Sequence, residues 1–417
     1  MANVIKAHNC SCTRRDLLRG GLMGLGVSTA LPGLLQQASW ALAAQAEAGK
    51  QQNDRVLVVV ELTGGVDGLS VVVPVENDHY YRARPTQAIP KSEARRLSDE
   101  FGLHPRTPGF ERMFKDGKMA IVNGCGYENS SLSHFSSMAY WHTGVPFGAE
   151  PRGWLGRFAD DFRPEAPEQY IVNVGTKETM AVRSSLHAPI TFSDPEKFQR
   201  EASATQRTAL ERMTENVAVE NPSLSFLNRI DATAADSSSL VKEACAEYRT
   251  VVEYGSAGTL GNDLRYVASL VDAGFPTRIY YTSVGGWDTH GNQALTLQSF
   301  LLYATDAIAA FLDDMERIGR GDDVAIMVFS EFGRRVHENA SGGTDHGTAG
   351  PMYMIGNHVN GGWYGSLPSL EDLDGNGNMK PTMDFRRVYA TMIEEWMGFD
   401  GAGEILQGDF PPLGVFV

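Results

Sequence analysis

Val56-Leu57-Val58-Val59-Val60-Glu61-Leu62, followed by Thr63-Gly64-Gly65-Val66-Asp67-Gly68, decides the fold. Seven residues, nearly all apolar and rich in β-branched side chains, leave no polar face for water. A strand of that kind is buried on both sides, as in a parallel sheet covered by helices. The glycines then allow a tight turn and the close approach of the Asp67 carboxylate to a ligand, although Asp beside Gly is most often only a turn.

Outward from this stretch, Leu69 to Val75, Met119 to Val122, Arg278 to Val284, Val324 to Phe329 and Met352 to Ile355 predict further strands. Ser299 to Arg317 and Asp384 to Met397 carry apolar residues at helical spacing. Strands alternating with helices predict an α/β fold, a doubly wound, mostly parallel sheet sandwiched by helices. The polar, Ala/Ser/Glu-rich stretch 195–257 reads as an inserted helical cap.

The N-terminus reads as an export signal. Arg14-Arg15 in a charged region, a weakly apolar stretch from Gly20 to Leu35, and the A-x-A sites Ala41-Leu42-Ala43 and Ala44-Gln45-Ala46 fit a twin-arginine peptide over 1–46. The domain proper would then be 47–417, outside the cytoplasm, with the twin-arginine translocase as its export partner. The alternative, a membrane anchor, is disfavoured because the apolar run falls short of the roughly 20 residues that span a bilayer. Cleavage removes four cationic side chains and one anionic one, taking the charge from −15 to −18. That balance excludes nucleic acid and anionic membrane as partners. Cys125 and Cys245 lack the neighbours of a zinc site and could be free or paired.

Chemistry-bearing residues follow the strands. Asp288 and His290, in Gly286-Trp287-Asp288-Thr289-His290, can grip one cation or form an Asp–His hydrogen bond. Glu331, Arg334 and Arg335, in Ser330-Glu331-Phe332-Gly333-Arg334-Arg335, could hold a metal and an anionic substrate, or form a salt-bridged loop. Asp345-His346 have diverging side chains, suiting two metals or one metal and its outer partner. Ser130, Ser133 and His134 precede a helix expected from Ser136 to Trp141, where serine caps a helix or acts on an anion. The mixture of imidazole and carboxylate favours zinc, manganese or iron over calcium or magnesium. Asp372-Leu373-Asp374-Gly375-Asn376-Gly377 begins like a calcium loop, but Met383 stands where the closing Glu belongs, so it reads as a turn.

In order along the chain, the signal, GGVDGL, SHF with WHTG, GWDTH, SEFGRR and GTDHGTAGPM resemble the family catalogued as domain of unknown function 1501, placed in the alkaline phosphatase-like superfamily. The resemblance implies one or two divalent ions, zinc or manganese, and an anionic small-molecule or glycan ester as substrate. It implies metal ligation by Asp67, Asp288, His290, Glu331 and His346, with Asp345 beside them. It makes Ser130 the nucleophile, or Ser133 or His134 in another register, with Arg334 and Arg335 clamping the anion. The pattern departs in the spacing of Asp288 and His290 and in Ser330-Glu331-Phe332, where the superfamily has Asp-His. The absence of Cys-x-Pro-x-Arg disfavours a formylglycine sulfatase. A phosphate or sulfate ester hydrolase or transferase is the expectation, with a non-catalytic binding protein on the same fold as the alternative.

Overall fold

A computed structural model describes residues 55–166, 169–198, 237–255 and 259–417. The export signal, and most of the expected cap, lie outside them; within the cap, residues 237–247 are helical. Along the chain the strands are β1 (Val56–Leu62), β2 (Val72–Pro74), β3 (Arg95–Arg96), β4 (Phe101–Leu103), β5 (Met119–Gly126), β6 (Ile171–Val174) and β7 (Ile190–Phe192). Then come β8 (Ile279–Val284), β9 (Val324–Phe329), β10 (Arg334–Glu338), β11 (Thr344–His346), β12 (Gly350–Gly356), β13 (Gly362–Tyr364) and β14 (Met383–Asp384).

The main sheet runs β13-β5-β12-β9-β1-β8-β6-β7, with β14 beside β5. Its pairings are parallel except at β12, which is antiparallel to both β5 and β9. The β1 stretch is at the centre and buried along its whole length. One of its faces (Val56, Val58, Val60) packs with the helices Thr259–Asp272 and Gln293–Arg317, and the other (Leu57, Val59) with Trp154–Phe162, Arg386–Thr391 and Ala402–Leu406. Each face therefore has its own core, as a sheet covered on both sides requires.

Several expectations shift. Leu69 to Val75 is not one strand: Gly68–Val71 is a helical turn and Val72–Pro74 joins a separate sheet ordered β2-β4-β3. A short apolar run buried all round has no periodicity to separate the two states. The Ser299 helix begins earlier, at Gln293, and the Asp384 helix begins at Arg386 and ends in a π-helical turn, Met392–Trp396. Cys125 and Cys245 are both free. The Asp372 stretch is a turn: Asp374 Oδ1 accepts the backbone N–H groups of Asn376 and Asn378.

Because β12 runs against both neighbours, β5 points the same way as β9, β1 and β8. The carboxyl ends of all four lie on one edge of the sheet, where open α/β sheets bind ligands.

Candidate metal centre

Three connections leave that edge, after β5, β8 and β9, and their side chains meet. His134, in the first turn of the helix His134–Thr143, comes from the segment after β5. Asp288 and His290 follow β8, Glu331 follows β9, and the hairpin β10–β11 brings His346 opposite Arg334. Ligand atoms of His134, Asp288 and His346 lie within 4.8 Å of one another. His290 borders them, its Nε2 3.0 Å from both Asp288 Oδ1 and His346 Nε2.

The three imidazoles share one arrangement. His134 Nδ1 is 2.7 Å from Glu331 Oε1, His290 Nδ1 is 3.2 Å from Asp345 Oδ1, and His346 Nδ1 is 2.8 Å from the Leu132 carbonyl oxygen. Each partner can only accept, so each Nδ1 carries the proton and donates it. In the neutral ring Nε2 then presents a lone pair, and all three Nε2 atoms face Asp288: His134 at 3.5 Å from Oδ2, His290 and His346 at 3.0 Å from Oδ1. Lone pairs pointed at a carboxylate and at one another repel. One divalent cation accepting all of them removes the conflict, and a ligand histidine donating its other N–H to a carboxylate or carbonyl is the usual outer-shell pattern.

The fit of such an ion can be tested on His134, whose Nε2 is buried without a hydrogen-bond partner. An orphaned buried nitrogen is costly, and a metal ligand is one group that would need it free. Asp288 is suited to the same task. Burial works to raise its carboxyl, but the hydrogen bond and charge of Arg334 outweigh that, joined by His346 and His290 whenever those rings carry a second proton, holding it well below the usual carboxylate range. It is therefore ionised at any pH at which the imidazoles are neutral.

The other acidic residues take different places. Glu331, expected as a ligand, is fully buried, and its carboxylate accepts the N–H groups of Gly64 and Gly65, the Ser330 hydroxyl and His134 Nδ1. The Gly64-Gly65 turn is a main-chain cradle for that carboxylate. Both glycines have positive φ, and a Cβ on Gly64 would lie 2.5 Å from the Asp288 nitrogen. Asp345 stands behind His290; a hydrogen bond from Asn339 against a smaller effect of burial, with a further bond from His290, lowers its carboxyl pKa.

Asp67 does not join the cluster. Completely buried, it receives both guanidinium NH groups of Arg84 at 2.6 and 2.8 Å, the Ser70 hydroxyl and the Gln293 amide. Four donors hold its carboxylate, and it stands apart from the imidazole cluster. Through Gln293, whose Oε1 accepts the hydroxyls of Thr289 and Thr344, it instead braces the two loops that carry His290 and His346. Arg84 and Gln293 went unread in the sequence because no motif marks them and the Gln293 contact spans 226 residues.

Arg334 is likewise spent inside. It is buried and donates to the carbonyls of Gly64, Gly65, Thr344 and Trp287 and to Asp288, leaving no free fork for an anion. Arg335 differs: its Nε is buried without a partner, and its charge acts on Asp345. Ser130 donates to the Tyr127 carbonyl, whereas Ser133 is exposed and caps the helix with no side-chain bond. His134 has its Nδ1 held by Glu331 and its Nε2 turned to Asp288, away from both serines in its hydrogen bonding.

Among solved structures, the chain is similar to the lipoteichoic acid synthase LtaP from Listeria monocytogenes (9% identity, 86% of this chain and 75% of that one, TM-score 0.41). It is also similar to the PsFucS1 sulfatase from Pseudoalteromonas sp. (10%, 92% and 75%, 0.41) and to the C-terminal periplasmic domain of EcEptC from Escherichia coli in complex with Zn (11%, 84% and 84%, 0.40). No curated protein matches the chain. The family described as "Protein of unknown function (DUF1501)" matches residues 119–408, and the chain belongs to that family.

Proposed function

We propose that the chain is an exported, metal-dependent hydrolase or transferase acting on a phosphate or sulfate ester. One divalent ion, zinc or manganese, would be held by His134, Asp288, His290 and His346. The observation that supports this most is the shared orientation of the three imidazoles, each with Nδ1–H engaged by an acceptor and Nε2 facing Asp288. When bound, a divalent cation supplies Lewis acidity toward an ester oxygen.

The chain's own residues supply the rest. Glu331, Asp345 and the Leu132 carbonyl hold protons on the outer nitrogens and fix the ring orientations. With one carboxylate among the ligands, the loaded centre keeps a net positive charge that favours an anionic ester. Arg335 is the cation that supports recognition of the substrate's remaining charge. Ser133, whose hydroxyl is uncommitted at a helix N-terminus, is the serine we assign to attack; the Ser130 hydroxyl is already donated to a carbonyl.

Metal analysis of the purified full chain, with turnover assays on aryl phosphates and aryl sulfates, tests the reading. We expect about one ion per chain, activity removed by chelation and restored by added zinc or manganese, and loss of both in Asp288→Ala and His346→Ala. A chain that binds no divalent ion, or turnover indifferent to chelation, would refute it. An ion bound without turnover of any ester would favour the binding-protein alternative.

A further inference from the structure

Beyond the metal centre, the other end of the segment that begins at Tyr127 opens into a separate cavity of about 560 Å³. None of the four metal-facing residues lines it. The volume falls within the range of about 300–1,000 Å³ usual for small-molecule sites.

Two features of its wall are costly to the fold. Phe147 is 61% exposed and has φ of +63°, in the left-handed region that bulky residues rarely adopt. Asn129, also on the wall, has φ of +55°. Among the described residues only four non-glycine residues have positive φ, and this cavity holds two of them. Strain of this kind clusters where a ligand is held. The Phe147 ring is steadied by Tyr140 and Tyr127, at centroid distances of 5.1 and 6.0 Å, while most of the residue stays exposed.

The polar groups define what that face meets. Glu128 is exposed and has no ion pair among the described residues. Asp384 is gripped by Arg386 through two side-chain bonds of 2.9 and 2.7 Å, and the Arg386 guanidinium also lies 4.0 Å over the Phe410 ring. The one cation on the wall is thus committed, while the carboxylates and the Asn129 amide keep free acceptor capacity. Glu128 and Asp384 outweigh Arg386, so the wall is net negative and disfavours an anionic ligand. A single exposed ring face, rather than a cage of three, is also a poor seat for an alkylammonium group. A neutral sugar ring fits both features: its C–H face covers the aromatic ring and its hydroxyls donate to the surrounding acceptors.

We propose that this cavity is a binding subsite for a neutral sugar unit of an oligosaccharide, with Phe147 as its platform and Glu128 as its main hydroxyl acceptor. The site stands independently of the metal centre.

The test is calorimetric titration of the full chain with a panel of neutral oligosaccharides (gluco-, xylo- and chito-oligomers), with and without chelator, and with choline as the cationic competitor. We expect at least one sugar to bind equally well with chelator present. Phe147→Gly should weaken it at least tenfold and Glu128→Gln severalfold. Because glycine accepts positive φ, Phe147→Gly should also leave Tm unchanged or raise it, which a ring serving only to pack would not do. Absence of binding by every sugar, unchanged affinity in Phe147→Gly, binding of choline alone, or loss of sugar binding on chelation would each overturn the proposal.

Discussion

Asp67 and Asp288 occupy equivalent places, each in a glycine-containing loop after a neighbouring parallel strand, yet they have opposite fates. Asp67 is sealed from water and held by Arg84, Ser70 and Gln293. Asp288 has a side chain 47% exposed and faces an orphaned imidazole nitrogen. Position at a strand end brings a carboxylate to the edge of the sheet. Whether it becomes a brace or a ligand depends on which partner reaches it first, a guanidinium or a set of imidazoles. Asp263 extends the contrast. It is buried with only the Thr282 hydroxyl as a partner among the described residues, and burial, opposed by that bond, pushes its carboxyl up to about 7.

The largest effect should come from Asp67→Ala. It leaves Arg84 charged, buried and uncompensated, for which a loss of about 3–5 kcal/mol is expected in denaturant titration. The folded fraction should still bind its ion with unchanged stoichiometry; a lost ion would return Asp67 to the ligand set.

Next is Asp263→Asn, through pH. Below about pH 4 the carboxyl is protonated in both folded and unfolded chains. Between about 4 and 7 only the folded chain keeps the proton, so stability falls as pH rises through that window. The variant lacks this penalty. Its stability advantage should therefore be smallest near pH 4 and greatest, on the order of a few kcal/mol, at pH 8. Parallel stability curves for the two proteins would contradict the assignment.

The smallest changes are expected from Glu331→Gln and Asp345→Asn, which weaken the acceptor behind an imidazole of the proposed centre without removing any of the four proposed ligands. Metal affinity should fall roughly 10–100-fold in each. Competition against a chromophoric chelator measures it, and a complete loss of the ion would instead make either residue a direct ligand.

Much of the architecture was legible because it depends on local pattern. The seven residues of β1 are apolar on both faces, and the structure gives a strand with the same ends. The loops holding Asp288, His290 and His346 were legible for a related reason, since each abuts such a strand. The roles within the site were not. Glu331 and Asp345 look like ligands in sequence, and only the distances show each accepting from an imidazole Nδ1. Arg334 looks like an anion clamp, but four carbonyls converge on it, and carbonyls leave no trace in side-chain identity. His134 was read among serines, because the Glu331 that aligns it lies 197 residues away.

The histidines and aspartate of the centre arrive on three separate segments, the last of them the hairpin that ends at His346. A growing chain consequently lacks the full set until that hairpin docks, and no fragment that ends before it holds all four residues. In the proposed centre, ion uptake would then follow the meeting of these segments rather than act as an early nucleus for assembly.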